Sequence, residues 1–236
     1  MNVLLMFEED LLVGQSLACI RGSRYQHMLR VQGFKQGDRL RVGLLNGQLG
    51  TGEITYIAND HLQLIYTLEQ DPPAPLPVIL ILALPRPKML KRVLASATAM
   101  GVKEFFLVNT YRVQKSFWQS PWLRPDKLQQ QLIEGLQQAG DTIMPKVKLQ
   151  PRFKPFVEDQ LPTLMTGRYG LVADPQADQP CPCQRVQNTL LVVGPEGGLL
   201  DYEINKLYGL GFQGVHLGAR ILRVETVVPA LLARLF

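Results

Sequence analysis

"LLVVGPEGGLLDYEI", Leu190 to Ile204, is the stretch on which the reading of this chain turns. Four apolar residues run into Gly194-Pro195-Glu196-Gly197-Gly198, and a helical pattern follows at once. Strand, glycine loop and helix in that order form the turn with which many α/β proteins hold a nucleotide. The loop has neither the Lys-Ser/Thr of a P-loop nor the glycine spacing of a dinucleotide fingerprint. Glu196, with Asp201 and Glu203 behind it, would repel a pyrophosphate. The same acids suit a helix dipole, and Asp201 reads as a plain N-cap. Glycines still let a ligand approach the backbone closely. A neutral or cationic nucleoside fits such a loop better than a polyphosphate.

Outward from the loop, the second part of the chain reads as alternating strands and helices. "VILILAL", Val78 to Leu84, is a strand buried on both faces, as in parallel sheets. "PRPKMLKRVLASATAMGV" has helical spacing at Met89, Val93, Ala97 and Met100, and "KEFFLVN" follows as the next strand. A long helix is expected over Pro125–Ala139, with further strands at Tyr169–Ala173, Thr189–Val193 and Gly214–Leu217. Before position 70 the texture is β, with turn signals at Gln36-Gly37-Asp38 and Asn46-Gly47 between short alternating runs, which suggests a small barrel. "EQDPPAPLP", Glu69 to Pro77, holds four prolines in nine residues and reads as a stiff linker. The expectation is a β-barrel domain over residues 1–70 and an α/β domain over 75–236.

Of 236 residues, 46% are hydrophobic and 19% charged, enough for a buried core and far from a disordered composition. The start "MNVLLMFEEDLL" is a poor signal peptide, and the longest apolar run, Val78 to Leu84, is too short to cross a bilayer. Three cysteines without a secretion signal read as reduced thiols in a cytoplasmic protein. "CPC" at Cys181–Cys183 has no second Cys/His pair to complete a zinc site, and His27, His61 and His216 are scattered, so it reads as a Pro-rich surface loop and no metal is expected. The net charge of +5 is unevenly spread: between Pro85 and Pro155 there are 13 Lys/Arg against 4 Asp/Glu. Such a patch is the footprint of a polyanion partner, or else a solvated basic surface.

A second stretch, "LGARILRVET" at Leu217–Thr226, lies between the last strand and the terminal helical run "VPALLARLF". "VGPEGGLLDYEI" followed by "LGARILRVET" closely resembles the two C-terminal motifs of the ribosomal RNA uridine-N3 methyltransferases, a family of the SPOUT superfamily. The resemblance extends over nearly the whole chain. "HMLRV…KQGDRLRV" resembles the family's PUA-like RNA-binding barrel, "ALPRPKMLKRVLASATAMGVKEFFLV" its first α/β unit, and "LQQAGDTIMPKV" the end of its central helix.

The resemblance implies a SPOUT domain with a parallel sheet and a deep trefoil knot, preceded by a small PUA-like β-barrel. It implies S-adenosylmethionine as methyl donor, held largely by backbone at Gly194, Glu196, Gly197, Leu217, Gly218, Ile221 and Leu222, with Ala173 a further candidate. It implies a cytoplasmic homodimer whose substrate is 16S ribosomal RNA of the small ribosomal subunit, with no membrane partner. Methyl transfer is an in-line displacement, and the uracil N3–H must also lose its proton. Arg223 would offset the developing imide charge or anchor an RNA phosphate, unless it is a salt-bridge partner within the knot. Glu196 and Glu225 are the nearby carboxylates for a base. Glu196 either touches the ligand or only starts a helix, and the same alternative holds for Glu225.

"YRVQKSFWQSPWLR", Tyr111 to Arg124, interleaves cations with Phe117, Trp118 and Trp122, a mixture that contacts phosphates and stacks on unpaired bases or else packs a loop onto the domain. Arg86, Lys88, Arg112, Lys115 and Trp118 are the candidate RNA contacts. The chain departs from the family where Gln137-Gln138-Ala139-Gly140-Asp141 replaces a Glu-Gln-Ser/Cys-Gly-Arg sequence, where Val31-Gln32-Gly33 replaces Val-Leu-Arg, and where Val224 replaces a threonine. These departures bear on which nucleotide is methylated more than on the reaction class. Two rival functions remain at this level: a SPOUT methyltransferase acting on another RNA or nucleotide, and a non-catalytic RNA-binding or ribosome-assembly protein.

Overall fold

The computed structural model describes residues 2–12, 14–184 and 187–236. The chain divides into two compact units, Met1–Pro73 with Leu136–Met144, and Ala74–Gly135 with Pro145–Phe236.

The first unit contains β1 (Leu4–Met6), β2 (Leu11–Leu12), β3 (Leu17–Arg21), α1 (Gly22–Arg30), β4 (Arg39–Leu44), β5 (Leu49–Ile57) and β6 (His61–Gln70). Its strands form one sheet in the order β1-β4-β5-β6-β3-β2, with β1 parallel to β4 and every other pair antiparallel. Asn46, at φ 60°, and Gly47 turn the β4–β5 hairpin, as the Asn-Gly signal implies. Alternation puts Val42, Ile54, Leu62 and Leu64 into a core with Leu4, Met6, Ile20 and Met28.

Asp10, only 4% exposed, is held by Arg24 through two bonds, 2.7 Å to Oδ2 and 2.6 Å to Oδ1, and accepts a third from the Phe7 amide at 2.8 Å. A buried carboxylate needs such a full set of donors to offset its desolvation. Helix α1 carries little helical signal in its sequence, because "GSRYQHMLR" is mostly polar and buries only Tyr25 and Met28. Segment 136–144 clusters with this unit through Val3 N to Gln137 O (3.2 Å), Asn46 N to Thr142 O (2.8 Å) and Met144 N to Asn46 Oδ1 (2.9 Å). The Gln137–Asp141 departures therefore lie within the first unit.

The second unit contains β7 (Val78–Ala83), α2 (Pro87–Ala99), β8 (Glu104–Val108), α3 (Pro125–Ala139, whose last turn falls in the first unit) and β9 (Lys146–Gln150). Two short helices, α4 (Phe153–Pro155) and α5 (Leu161–Met165), flank a wider π-type turn at Phe156–Gln160. Then come β10 (Tyr169–Ala173), β11 (Thr189–Val193), α6 (Asp201–Gly209), β12 (Gln213–Val215) and α7 (Val224–Leu235). The six strands are all parallel, in the order β12-β10-β11-β7-β8-β9.

Such a sheet buries both faces, which is why its strands carry unbroken apolar runs. One face supplies Ile79, Ile81, Phe106, Val108, Val172, Leu190 and Val192 to a core closed by Phe156, Leu161, Leu207 and Phe212. Helices α2 and α7 pack together along buried stripes that include Leu90, Val93, Val228 and Leu231. Strand β12 ends two residues earlier than the apolar pattern suggests, because His216 leaves the ladder to pair with Pro180 and Gly218 turns at φ 103°. Glu69 and Gln70, read as linker, extend β6. Among the described residues no helix is long and apolar enough to cross a membrane.

Candidate active site

In a parallel sheet every strand ends on the same side, so the loops after β7, β8, β10, β11 and β12 open on one edge. The register aligns Ala173 with Val193 and Val215, and Val193 with Leu82. The two stretches singled out in the sequence, 194–198 and 217–223, thus leave the sheet from strands that both border β10.

The glycine loop is shaped by three ties to distant parts of the unit. Glu196 Oε1 accepts a hydrogen bond from the Arg86 amide at 3.0 Å, just before α2. The Arg112 guanidinium donates to Gly197 O at 2.5 Å and reaches Leu199 O at 3.5 Å. Its stem runs along the loop so closely that a Cβ on Gly197 would sit 3.3 Å from Arg112 Cδ. Gly198 takes φ 75°, a left-handed conformation that favours glycine, and its amide bonds Pro195 O at 2.8 Å. Arg112, a candidate RNA contact and exposed, also clamps this loop.

The third tie is Glu203. Only 3% exposed, its carboxylate accepts from the Leu200 amide at 2.9 Å and from the Tyr111 amide at 2.8 Å. Leu200 occupies the cap position of α6, and Asp201 is its first helical residue. The N-cap reading of Asp201 is therefore corrected: Glu203, three residues beyond the cap, reaches back as in a capping box. Its spacing was visible in sequence, but its second partner, 92 residues away, was not.

The loop after β12 is open. Gly218 N donates to His216 Nδ1 at 2.9 Å, which makes that nitrogen an acceptor, so His216 serves the turn. A Cβ on Gly218 would meet nothing within 4 Å. Ile221 is 84% and Leu222 37% exposed. Leu217 is half-buried and Arg223 exposed at the cap position of α7. Among the described residues Arg223 makes no ion pair. Glu225 lies half-buried in the first turn of α7, and Ala173 half-buried at the end of β10.

A strap, residues 179–184, is tied to His216 and to α7. Cys181 N donates to His216 O at 2.8 Å, Gln184 N to Arg234 O at 3.1 Å, and Arg234 Nε to Cys181 O at 2.5 Å. Cys181 is buried, unlike the surface residue its Pro-rich context suggested, whereas Cys183 is exposed.

Beyond β8 the basic, aromatic segment forms two 3-10 turns, Lys115–Gln119 and Pro121–Leu123. Trp118 is half-buried, with its indole N–H on Asn109 Oδ1 at 2.8 Å, while Lys91 Nζ stands 4.0 Å from the Trp122 ring centre. Arg86, Lys88 and Lys115 are exposed.

Comparison with known proteins agrees with this architecture. Residues 72–236 match the family model described as RNA methyltransferase domain. The chain is 28% identical over 235 residues to the ribosomal RNA small subunit methyltransferase E of Treponema pallidum, covering 98% of this chain and 88% of that protein. It is 28% identical over 220 residues to the protein of the same name from Synechocystis, covering 90% and 70%. Among solved structures, the Neisseria gonorrhoeae ribosomal RNA small subunit methyltransferase E bound to S-adenosyl methionine superposes with a TM-score of 0.76 at 21% identity, covering 99% of this chain and 95% of that one. At that identity the likeness establishes the fold.

Proposed function

Since this chain belongs to the RNA methyltransferase family, we propose that it methylates N3 of a uridine in small-subunit ribosomal RNA, with S-adenosylmethionine as donor. The observation that carries this reading is the placement, on one sheet edge, of a clamped glycine loop and an open loop with exposed Ile221 and Leu222. Bare backbone at Gly218 beside apolar side chains fits a purine nucleoside held by main-chain groups. Gly194, Glu196, Gly197, Leu217, Gly218, Ile221 and Leu222 would hold the donor, with Ala173 at its rim. When bound, the donor supplies a methyl group on a sulfonium, open to in-line displacement.

The protein's own residues have three tasks. The first is positioning: Arg112 and Glu203 fix the loop against α6 before any ligand arrives, so little ordering is left to the ligand. The second is charge. Exposed, and without an ion-pair partner among the described residues, Arg223 is the group best suited to offset the imide anion that forms as N3 loses its proton. The third is proton removal, for which Glu196 and Glu225 are the carboxylates at hand. One oxygen of Glu196 is engaged by Arg86 N, leaving the other for a ligand. We further propose that the strap 179–184 and α7 belong to a trefoil knot, that the first unit is a PUA-like RNA-binding barrel, and that the enzyme acts in the cytoplasm as a homodimer whose second copy covers exposed Ile221.

Calorimetry with S-adenosylmethionine tests donor binding, and folded protein that binds none would refute the reading. Position is tested by reverse transcription across small-subunit RNA treated with enzyme and donor. N3 lies on the pairing edge of uracil, so methylation there stops the copying enzyme at one site. Labelled RNA without such a stop would assign the methyl group to another atom.

A further inference from the structure

A second binding feature lies beside the donor loops. An open cavity of about 590 Å³ is lined by Arg86, Lys88 and Lys91 from the start of α2 and by Gln114, Phe117 and Trp122 from the segment after β8. Its three charged side chains are all cations, and the first turn of α2 carries no acid. Lys91 stands over the Trp122 ring at 4.0 Å and holds it beside the cations. Through the Arg86 amide the cavity adjoins Glu196, yet no residue of 194–198 or 217–222 lines it. Its occupant therefore sits next to the reacting group and not on it.

We propose that this cavity holds an unpaired nucleotide of the RNA adjacent to the target uridine. Its base lies against Phe117 and Trp122, its phosphate on Arg86 and Lys88, and Gln114 meets the base edge. Aromatic faces set among cations suit a base joined to its phosphate, and bases splayed from unpaired RNA are read in this way. The volume is that of a ligand site. An acidic peptide would satisfy the cations and leave both rings uncovered. The inference rests on the methyltransferase reading only in placing this nucleotide beside a uridine that is methylated.

The chain has two tryptophans, so Trp118→Phe leaves Trp122 as sole reporter. A short single-stranded oligoribonucleotide is expected to quench it saturably, and polyglutamate is not. Lys88→Gln and Phe117→Ala should each weaken RNA binding and raise the RNA KM about tenfold, the scale of losing one stacked base or phosphate contact. kcat and donor affinity should stay within about twofold, because the donor loops are untouched. Phe117→Tyr keeps the aromatic face and should restore binding. Absent quenching, equal quenching by polyglutamate, or variants that bind RNA like the parent would overturn the proposal. Should the parent transfer no methyl group, the functional reading fails, while quenching and RNA affinity still decide on the cavity.

Discussion

Replacing Glu203 by alanine is the sharpest test of how the glycine loop is held. The carboxylate is buried and accepts from two backbone amides, Tyr111 and Leu200. A hydrogen bond to a charged group contributes ~1.5–3 kcal/mol, and an amide left unpaired in the interior costs a comparable amount. Removing the charge also recovers its own desolvation cost, which offsets part of the loss. A net loss of about 3 kcal/mol is expected for Glu203→Ala. Glu203→Gln keeps one acceptor and sets an NH2 group against the second amide, so about half that loss is expected. Both tryptophans lie in the second unit, so their fluorescence during urea unfolding follows that unit. The alanine variant should also lower the melting midpoint by about 6–12 °C. Its donor affinity should fall about tenfold as loop 194–200 loses its anchor. An alanine variant within ~0.5 kcal/mol of the parent, or a glutamine variant as damaged as alanine, would refute the account.

Three further outcomes are expected. Arg24→Ala leaves buried Asp10 without its bidentate partner and should cost the first unit ~3–5 kcal/mol by denaturant unfolding, and a second change of Asp10→Asn should recover part of it. Arg223→Ala should abolish methyl transfer in a single-turnover assay while donor affinity stays near that of the parent, since the side chain is exposed. RNA affinity should fall steeply with salt, with a log–log slope of about −0.7 per phosphate neutralised on a single strand, and the Lys88→Gln slope should be shallower by about that amount.

Pattern reading reached much of the fold because parallel strands carry their own signature. Tyr169–Ala173, Thr189–Val193 and helix Pro125–Ala139 lie where their apolar runs and spacing put them. Elements with weak periodicity escaped it. Helix α1 buries two residues in nine, and β9, "KVKLQ", is an edge strand with exposed lysines. The site was legible as two loops and illegible as a network. Glycines at 194, 197, 198 and 218 announce backbone freedom, but nothing local says that Arg112 will clamp Gly197 or that Glu203 will reach Tyr111. Glu203 looked like one more acid at a helix start, because its burial depends on a segment far away in the chain. The burial of Cys181 is hidden in the sequence for the same reason: its environment comes from His216 and Arg234, not from the prolines beside it.

The ties that shape the glycine loop span 110, 92 and 85 residues of chain. Closing such loops costs entropy before any contact repays it, which makes parallel sheets slow to form. No early intermediate built from neighbouring segments can contain this site. It arises only when β7, β8 and β11 are already paired, so competence to bind a ligand there is a readout of completed folding of the second unit.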